Sequence, residues 1–362
     1  MHVPAEPGSE RKKKTVAVPS QARVGSPKAI ACFDRIRKLE LAARLPALFS
    51  RKKVAIKTPL PSVDVSVTPP TLPAFRFPLF AVCNLLAGSS STDPLSKHTM
   101  AASKDGSLAL PRILCLHGGG VNAEVFELQC RNLVTRLKPY FRLCFVDAPF
   151  ICEPHPQIVR VYGDYGPFRR WMRWLPEHAE IDDATTVSQI EYQLRLTMEE
   201  DDEKGGTGPW VGLLGFSQGA KISASLLFTQ QKLGETIGKD AAWTKFRFAV
   251  LLAGRAPVVS LDSRVVPVPA GVAAASELSI SFQNWPDPRD TDQRIRLPTI
   301  HVHGLKDPGL EHHRKLLHLY CEEGTATLVE WDGEHRVPIK AQDVEAVAKE
   351  MIALGKKLDL IS

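Results

Sequence analysis

From Leu110 onward, short apolar runs closed by glycine, proline or a polar pair recur along the chain. Arg112–Leu116, the segment ending Val146-Asp147, Trp210–Leu214, Phe246–Ala253, Pro298–Gly304 and Ala326–Trp331 read as strands, with Arg112–Leu116 and Phe246–Ala253 buried. Helical spacing appears between them, in Ala220 to Gln231 and from about Glu311 to Cys321. The alternation is that of an α/β domain. The chain before Met100 lacks this order. It is dense in proline, serine and basic residues, with Thr58 to Pro78 rich in proline and Ser89 to Thr92 polar.

One junction carries chemistry. Gly215-Phe216-Ser217-Gln218-Gly219 stands where the Trp210–Leu214 run ends and the Ala220–Gln231 helix begins. Strand, sharp turn and helix in that order lift a serine hydroxyl clear of a sheet, and the glycines let strand and helix approach closely. A serine hydroxyl needs a base to take its proton and a carboxylate to orient that base. Asp307 follows the Pro298–Gly304 strand and His335 follows the Ala326–Trp331 strand, so serine, acid and histidine occur in the hydrolase order. An oxyanion hole needs backbone N–H groups, and His117-Gly118-Gly119-Gly120 directly follows an early strand. Gly119 and Gln218 are the expected donors, with Gly120 or Val121 as alternatives to Gly119.

Each residue also has a plainer reading. Ser217 would serve as a helix N-cap, and Asp307 would cap the helix after it. Asp332 is a rival acid, but lies only three residues before His335; Asp147 precedes the serine and is read as structural. His117 opens the oxyanion loop and is expected to fix its shape rather than move protons. His301, His303, His312 and His313 invite a metal, yet common zinc-hydrolase spacings are missing, so no metal or other cofactor is expected.

Together His117–Ala123, Asp147-Ala148-Pro149, Gly215–Ala220, His303–Pro308 and Gly333–Pro338 resemble the FSH family of fungal serine hydrolases. The likeness spans about Leu110 to Gly355. It implies an α/β-hydrolase fold, with a mostly parallel central sheet flanked by helices and lid-like insertions. Carried over by motif, Ser217 is the nucleophile, His335 the base and Asp307 the acid. Members of the family that act in lovastatin and citrinin biosynthesis imply an acyl or polyketide substrate, with the acyl-carrier domain of a polyketide synthase as partner.

Composition bears on what surrounds this core. Of the residues, 44% are hydrophobic and 24% charged, an ordinary globular balance, and no apolar run is long enough to span a bilayer. Seven scattered cysteines, with Cys115 and Cys144 inside strand-like runs, point to reduced thiols in a cytoplasmic protein. The formal net charge of +6 is misleading. Residues 1–57 hold fourteen Lys or Arg against four Asp or Glu, leaving the rest of the chain at −4. The expectation is a disordered leader over 1–105 and a catalytic domain over 106–362. Within the leader, Ile30 to Phe49 has helical spacing with a basic face, and Pro78 to Ala87 is apolar but too short to span. These invite an organelle-targeting reading, which Glu6 and Glu10 oppose. Met100 is the expected translation start. No nucleic-acid module is evident outside the leader.

Two segments bear on substrate. Ile151 to Ile181 carries Tyr162, Tyr165, Phe168, Trp171 and Trp174 among four arginines and is expected to form a lid or acyl-pocket wall. A solvated loop whose aromatics pack onto the domain is the alternative. Arg255 to Arg296, rich in proline, is expected to be an ordered, irregular cover with little sheet. The expected activity is ester or thioester hydrolysis releasing or editing an acyl or polyketide chain. The alternatives are a general carboxylesterase for free oxyesters and a non-catalytic acyl- or carrier-binding module.

Overall fold

The structure is a computed structural model that describes residues 106–362. The expected leader, its Ile30–Phe49 and Pro78–Ala87 segments and the Met100 start lie outside the described residues.

Six strands form one sheet: β1 (Arg112–Leu116), β2 (Arg142–Val146), β5 (Trp210–Phe216), β6 (Phe248–Leu252), β9 (Thr299–Gly304) and β10 (Ala326–Trp331). Their spatial order is β10-β9-β6-β5-β1-β2, and every neighbouring pair is parallel. Helices α1 (Ala123–Leu137), α3 (Asp183–Glu203), α4 (Gln218–Thr236), α5 (Leu310–Tyr320) and α6 (Ala341–Lys357) cover it. This is the α/β-hydrolase architecture.

The apolar runs of the inner strands β1, β5 and β6 are nearly continuous because both faces of the sheet are buried there, whereas the edge strand β10 exposes Thr327, Leu328 and Glu330. Along β1, Leu114 and Leu116 pack on one side with Ile190 and Leu194 of α3, Ala220 and Leu227 of α4 and Leu316 of α5. Ile113 and Cys115 pack on the other with Val125 and Phe126 of α1 and Val344 and Met351 of α6. The central helix α4 buries Ala220 through Thr229 without interruption, since the 255–296 segment lies over its outer face. One tie between them runs from the Val259 N–H to Ser225 Oγ at 2.9 Å.

Sheet order positions the site. From β1 the chain moves outward to β2 and then returns to β1's other side as β5. The loops after β1 and β5 therefore diverge, opening a crevice at the carboxyl ends of these strands. Two smaller pairs lie outside the sheet: antiparallel β3 (Phe150–Cys152) with β4 (Phe168–Arg170), and two-residue β7 (Val258–Val259) with β8 (Val272–Ala273). Helix α2 (Pro156–Tyr162) lies between β3 and β4. Among the described residues no helix is long and apolar enough to cross a membrane.

Candidate active site

The turn from β5 into α4 is built by steric necessity. Ser217 has φ 53° and ψ −111°, a backbone state that costs a side-chain-bearing residue about 1–3 kcal/mol and persists only when its surroundings enforce it. Here they do. The Ser217 N–H donates to the Leu252 carbonyl at 2.8 Å, and a Cβ on Gly219 would overlap the Leu116 carbonyl. On Gly215 a Cβ would overlap the Gly219 and Ala220 backbone. The N-cap reading of Ser217 fails, because its side chain makes no cap hydrogen bond.

Instead Ser217 Oγ lies 2.9 Å from His335 Nε2, and His335 Nδ1 lies 2.6 Å from Asp307 Oδ2. Three loops, following β5, β9 and β10, bring these residues together across 118 positions of sequence. The other carboxylate oxygen, Asp307 Oδ1, accepts the Gly309 N–H at 2.7 Å. Burial would raise the Asp307 carboxyl, but the His335 hydrogen bond and charge and the Gly309 N–H outweigh it and hold it below the usual range. Phe216 packs against the His335 imidazole with ring centroids 5.1 Å apart.

The glycine loop after β1 faces this group. A Cβ on Gly118 would sit 3.5 Å from Ser217 Cβ, and one on Gly119 would come within 2.8 Å of the Trp174 ring. Gly120 takes φ +72° and gives its N–H to the Arg169 carbonyl at 2.9 Å. Among the described residues the N–H groups of Gly119 and Gln218 have no backbone acceptor. His117 is fully buried and fixes the loop: Nδ1 donates to the Gly118 carbonyl at 2.7 Å, while Nε2 accepts the Ala148 N–H at 3.0 Å. This arrangement holds the imidazole neutral, and burial pushes its pKa down to about 4.

A cavity of about 860 Å³ opens over these groups. Its wall includes Gly119, Ser217, Gln218, His335 and the apolar side chains of Ile158, Val161, Met172 and Leu175.

Residues 107–347 match the family described as serine hydrolase (FSH1). The chain belongs to that family. Esterase pigG of Monascus ruber is 50% identical over 267 residues, 72% of this chain and 97% of that protein. Esterase claE of Penicillium crustosum is 46% identical over 68% of this chain and 94% of its own. The carboxylesterase structure from Bacillus cereus aligns with a TM-score of 0.38 at 17% identity, covering 69% of this chain and 90% of that one.

The five expected lid aromatics of this hydrolase separate in the structure. Tyr162 and Trp174 line the cavity. Trp171, Phe168 and Tyr165 do not, and for these three the expectation is corrected. Trp171 is fully buried, donating its indole N–H to the His117 carbonyl at 2.8 Å, and Phe168 is buried with α1 and Ile158. Tyr165 is 39% exposed and stacks edge-on against Tyr162. The short β3–β4 pair turns alternate residues to opposite sides, which spacing along an irregular segment did not reveal.

A tie absent from the sequence reading holds this segment. Gln218 Oε1 accepts the Trp171 N–H at 2.7 Å and Nε2 donates to the Met172 carbonyl at 3.0 Å. The remaining candidates sort plainly. Asp147 accepts the Ala123 N–H at 2.9 Å at the start of α1, and Asp332 pairs with Lys306 at the surface. His301, His303 and His313 are buried together, with ring centroids 5.8 and 5.5 Å apart in sequence order. Asp307, His313 and His335 bring three possible ligand atoms within 4.8 Å, but His335 Nδ1 and Asp307 Oδ2 are already bonded to each other.

Proposed function

We propose that this serine hydrolase is an esterase or thioesterase that uses Ser217 as nucleophile, His335 as base and Asp307 as acid. The single observation carrying this reading is the run Ser217 Oγ, His335 Nε2, His335 Nδ1, Asp307 Oδ2, with links of 2.9 and 2.6 Å, at the wall of a substrate-sized cavity. His335 Nε2 takes the Ser217 proton as Oγ attacks the carbonyl carbon, and Asp307 stabilises the imidazolium. The resulting oxyanion is held by the N–H groups of Gly119 and Gln218, which lie on opposite sides of the β1–β5 crevice. His335 then returns the proton to the departing alcohol or thiol, and in a second cycle deprotonates the water that releases the acid. Gly120 is a poorer donor because its N–H is already bonded.

The substrate we assign is an acyl or polyketide ester or thioester of fungal secondary metabolism, offered by an acyl-carrier domain in the cytoplasm. The fungal relatives named as esterases and the apolar stretch of the cavity wall formed by Ile158, Val161, Met172 and Leu175 support this choice. The five free cysteines among the described residues agree with a reducing compartment. The test is kcat/KM for matched acyl thioesters and oxyesters on the full chain, with Ser217→Ala alongside. That variant is expected to lose roughly 10⁴- to 10⁶-fold in turnover and all fluorophosphonate labelling. Retained turnover would overturn the assignment, and an oxyester preference would move the substrate to a free ester.

A further inference from the structure

One charged side chain in the cavity has no part in the chemistry above. Lys221 lies in the first turn of α4, four residues after Ser217, and its N–H donates to the Ser217 carbonyl at 3.1 Å. It is 4% exposed, yet it lines the cavity. Its Nζ donates to Ser279 Oγ at 2.6 Å, and among the described residues that neutral hydroxyl is its one hydrogen-bond acceptor. No described carboxylate lies within ion-pair distance of it. Arg255, on the same wall, has among the described residues only the Asp307 carboxylate near its guanidinium, at 3.9 Å.

Burying an ammonium beside a second cation is costly, and a mere tie to Ser279 would be made more cheaply by an amide. Burial first and Arg255 second push the Lys221 pKa down to about 7, with Glu277 pulling the other way. Such a group gains most from a ligand that supplies the missing negative charge.

We propose that Lys221, flanked by Arg255, is the receptor for an anionic oxygen on the acyl part of the substrate, so that the enzyme selects acyl groups carrying a carboxylate or an enolate several bonds from the scissile carbonyl. The proposal rests on Ser217 being the nucleophile, since that fixes which end of the cavity holds the carbonyl. Lys221 acts on the bound acyl chain and takes no part in bond breaking.

The experiment compares N-acetylcysteamine thioesters of three acids: hexanoic, neutral; adipic, with a free terminal carboxylate; and 3,5-dioxohexanoic, enolisable. The full-length wild type is expected to favour at least one charged or enolisable thioester over hexanoyl by about tenfold or more in kcat/KM. A preference for adipoyl alone assigns a carboxylate, and for dioxohexanoyl alone an enolate. In Lys221→Met that ratio is expected to collapse towards one, and in Arg255→Gln to fall partway. No wild-type preference overturns the proposal without any variant, as does a ratio that survives Lys221→Met. Cyanoborohydride trapping of a dioxohexanoyl adduct on Lys221 would also overturn it, by showing an amine nucleophile in place of a cation. Fluorophosphonate labelling of the wild type separates the two readings. Labelling at Ser217 without substrate preference removes only the Lys221 proposal, whereas absence of labelling removes the Ser217 assignment beneath it.

Discussion

Acidification should unfold this protein through its buried histidines. His117, His301, His303 and His313 are at most 1% exposed, and burial is the first cause lowering each pKa from the ordinary 6.5, to about 4, 3, 4 and 3 respectively. Burial is compounded by poor solvation inside: among the described residues both ring nitrogens of His303 and His313 lack hydrogen-bond partners, as does His301 Nδ1, although His313 Nε2 lies 3.6 Å from Asp307 Oδ2. A group with its folded pKa below its unfolded value contributes stability that is complete above pH 6.5 and is lost as pH falls towards the folded value. Between pH 6 and 4.5 the unfolded chain therefore binds up to four more protons than the fold. Each is worth about 1.4 kcal/mol per pH unit, together about 5 kcal/mol per unit. Against a total stability of about 5–15 kcal/mol, that slope is enough to unfold the domain near pH 5. Urea denaturation followed by circular dichroism at half-unit steps from pH 7.5 to 4.5 measures the slope directly. His303→Gln should reduce proton uptake by about one. An uptake below one proton between pH 6 and 5 would refute the reasoning, because these imidazoles would then be charged or solvated in the fold.

Two further outcomes are expected. Asp201, 5% exposed, accepts from Arg112 at 3.2 Å and from Arg142 at 2.7 Å, while Arg112 also pairs with Asp202 and Arg142 with Ser107, so Asp201→Ala removes one shared buried acceptor and should cost about 1–3 kcal/mol in urea denaturation. Gln218→Ala removes the side-chain clamp on Trp171 and Met172 but keeps the backbone N–H, and should lower kcat/KM by about 10- to 100-fold by loosening the cavity wall. A steady-state assay checks the latter, and unchanged kinetics would show the segment is held by its own packing.

What could be read from the chain alone was whatever depends on local order. Runs with closing turns marked all six strands of the sheet: the inner ones because a parallel strand buried on both faces is apolar on both, the exposed edge strand β10 by its β-branched and aromatic residues. The Gly-Phe-Ser-Gln-Gly junction stood out because a sharp strand-to-helix turn excludes side chains at two fixed positions, a constraint written in adjacent residues. The order of Ser217, Asp307 and His335 could be read because each follows a recognisable strand, although 118 residues separate the ends.

Only the folded chain decided which side chains meet. Sheet order, with β5 returning beside β1, sets the crevice, and nothing in either strand's own composition specifies its neighbour. Aromatic content marked 151–181, but the turns within it send Trp171 to the core and Trp174 to the cavity. Nothing in the residues next to Lys221 marks it as buried, which is the work of the 255–296 segment, and His303 and His313 come into ring contact only because α5 packs on β9. Burial and charge environment arise from contacts between distant segments, so the chemistry they impose is a property of the tertiary structure.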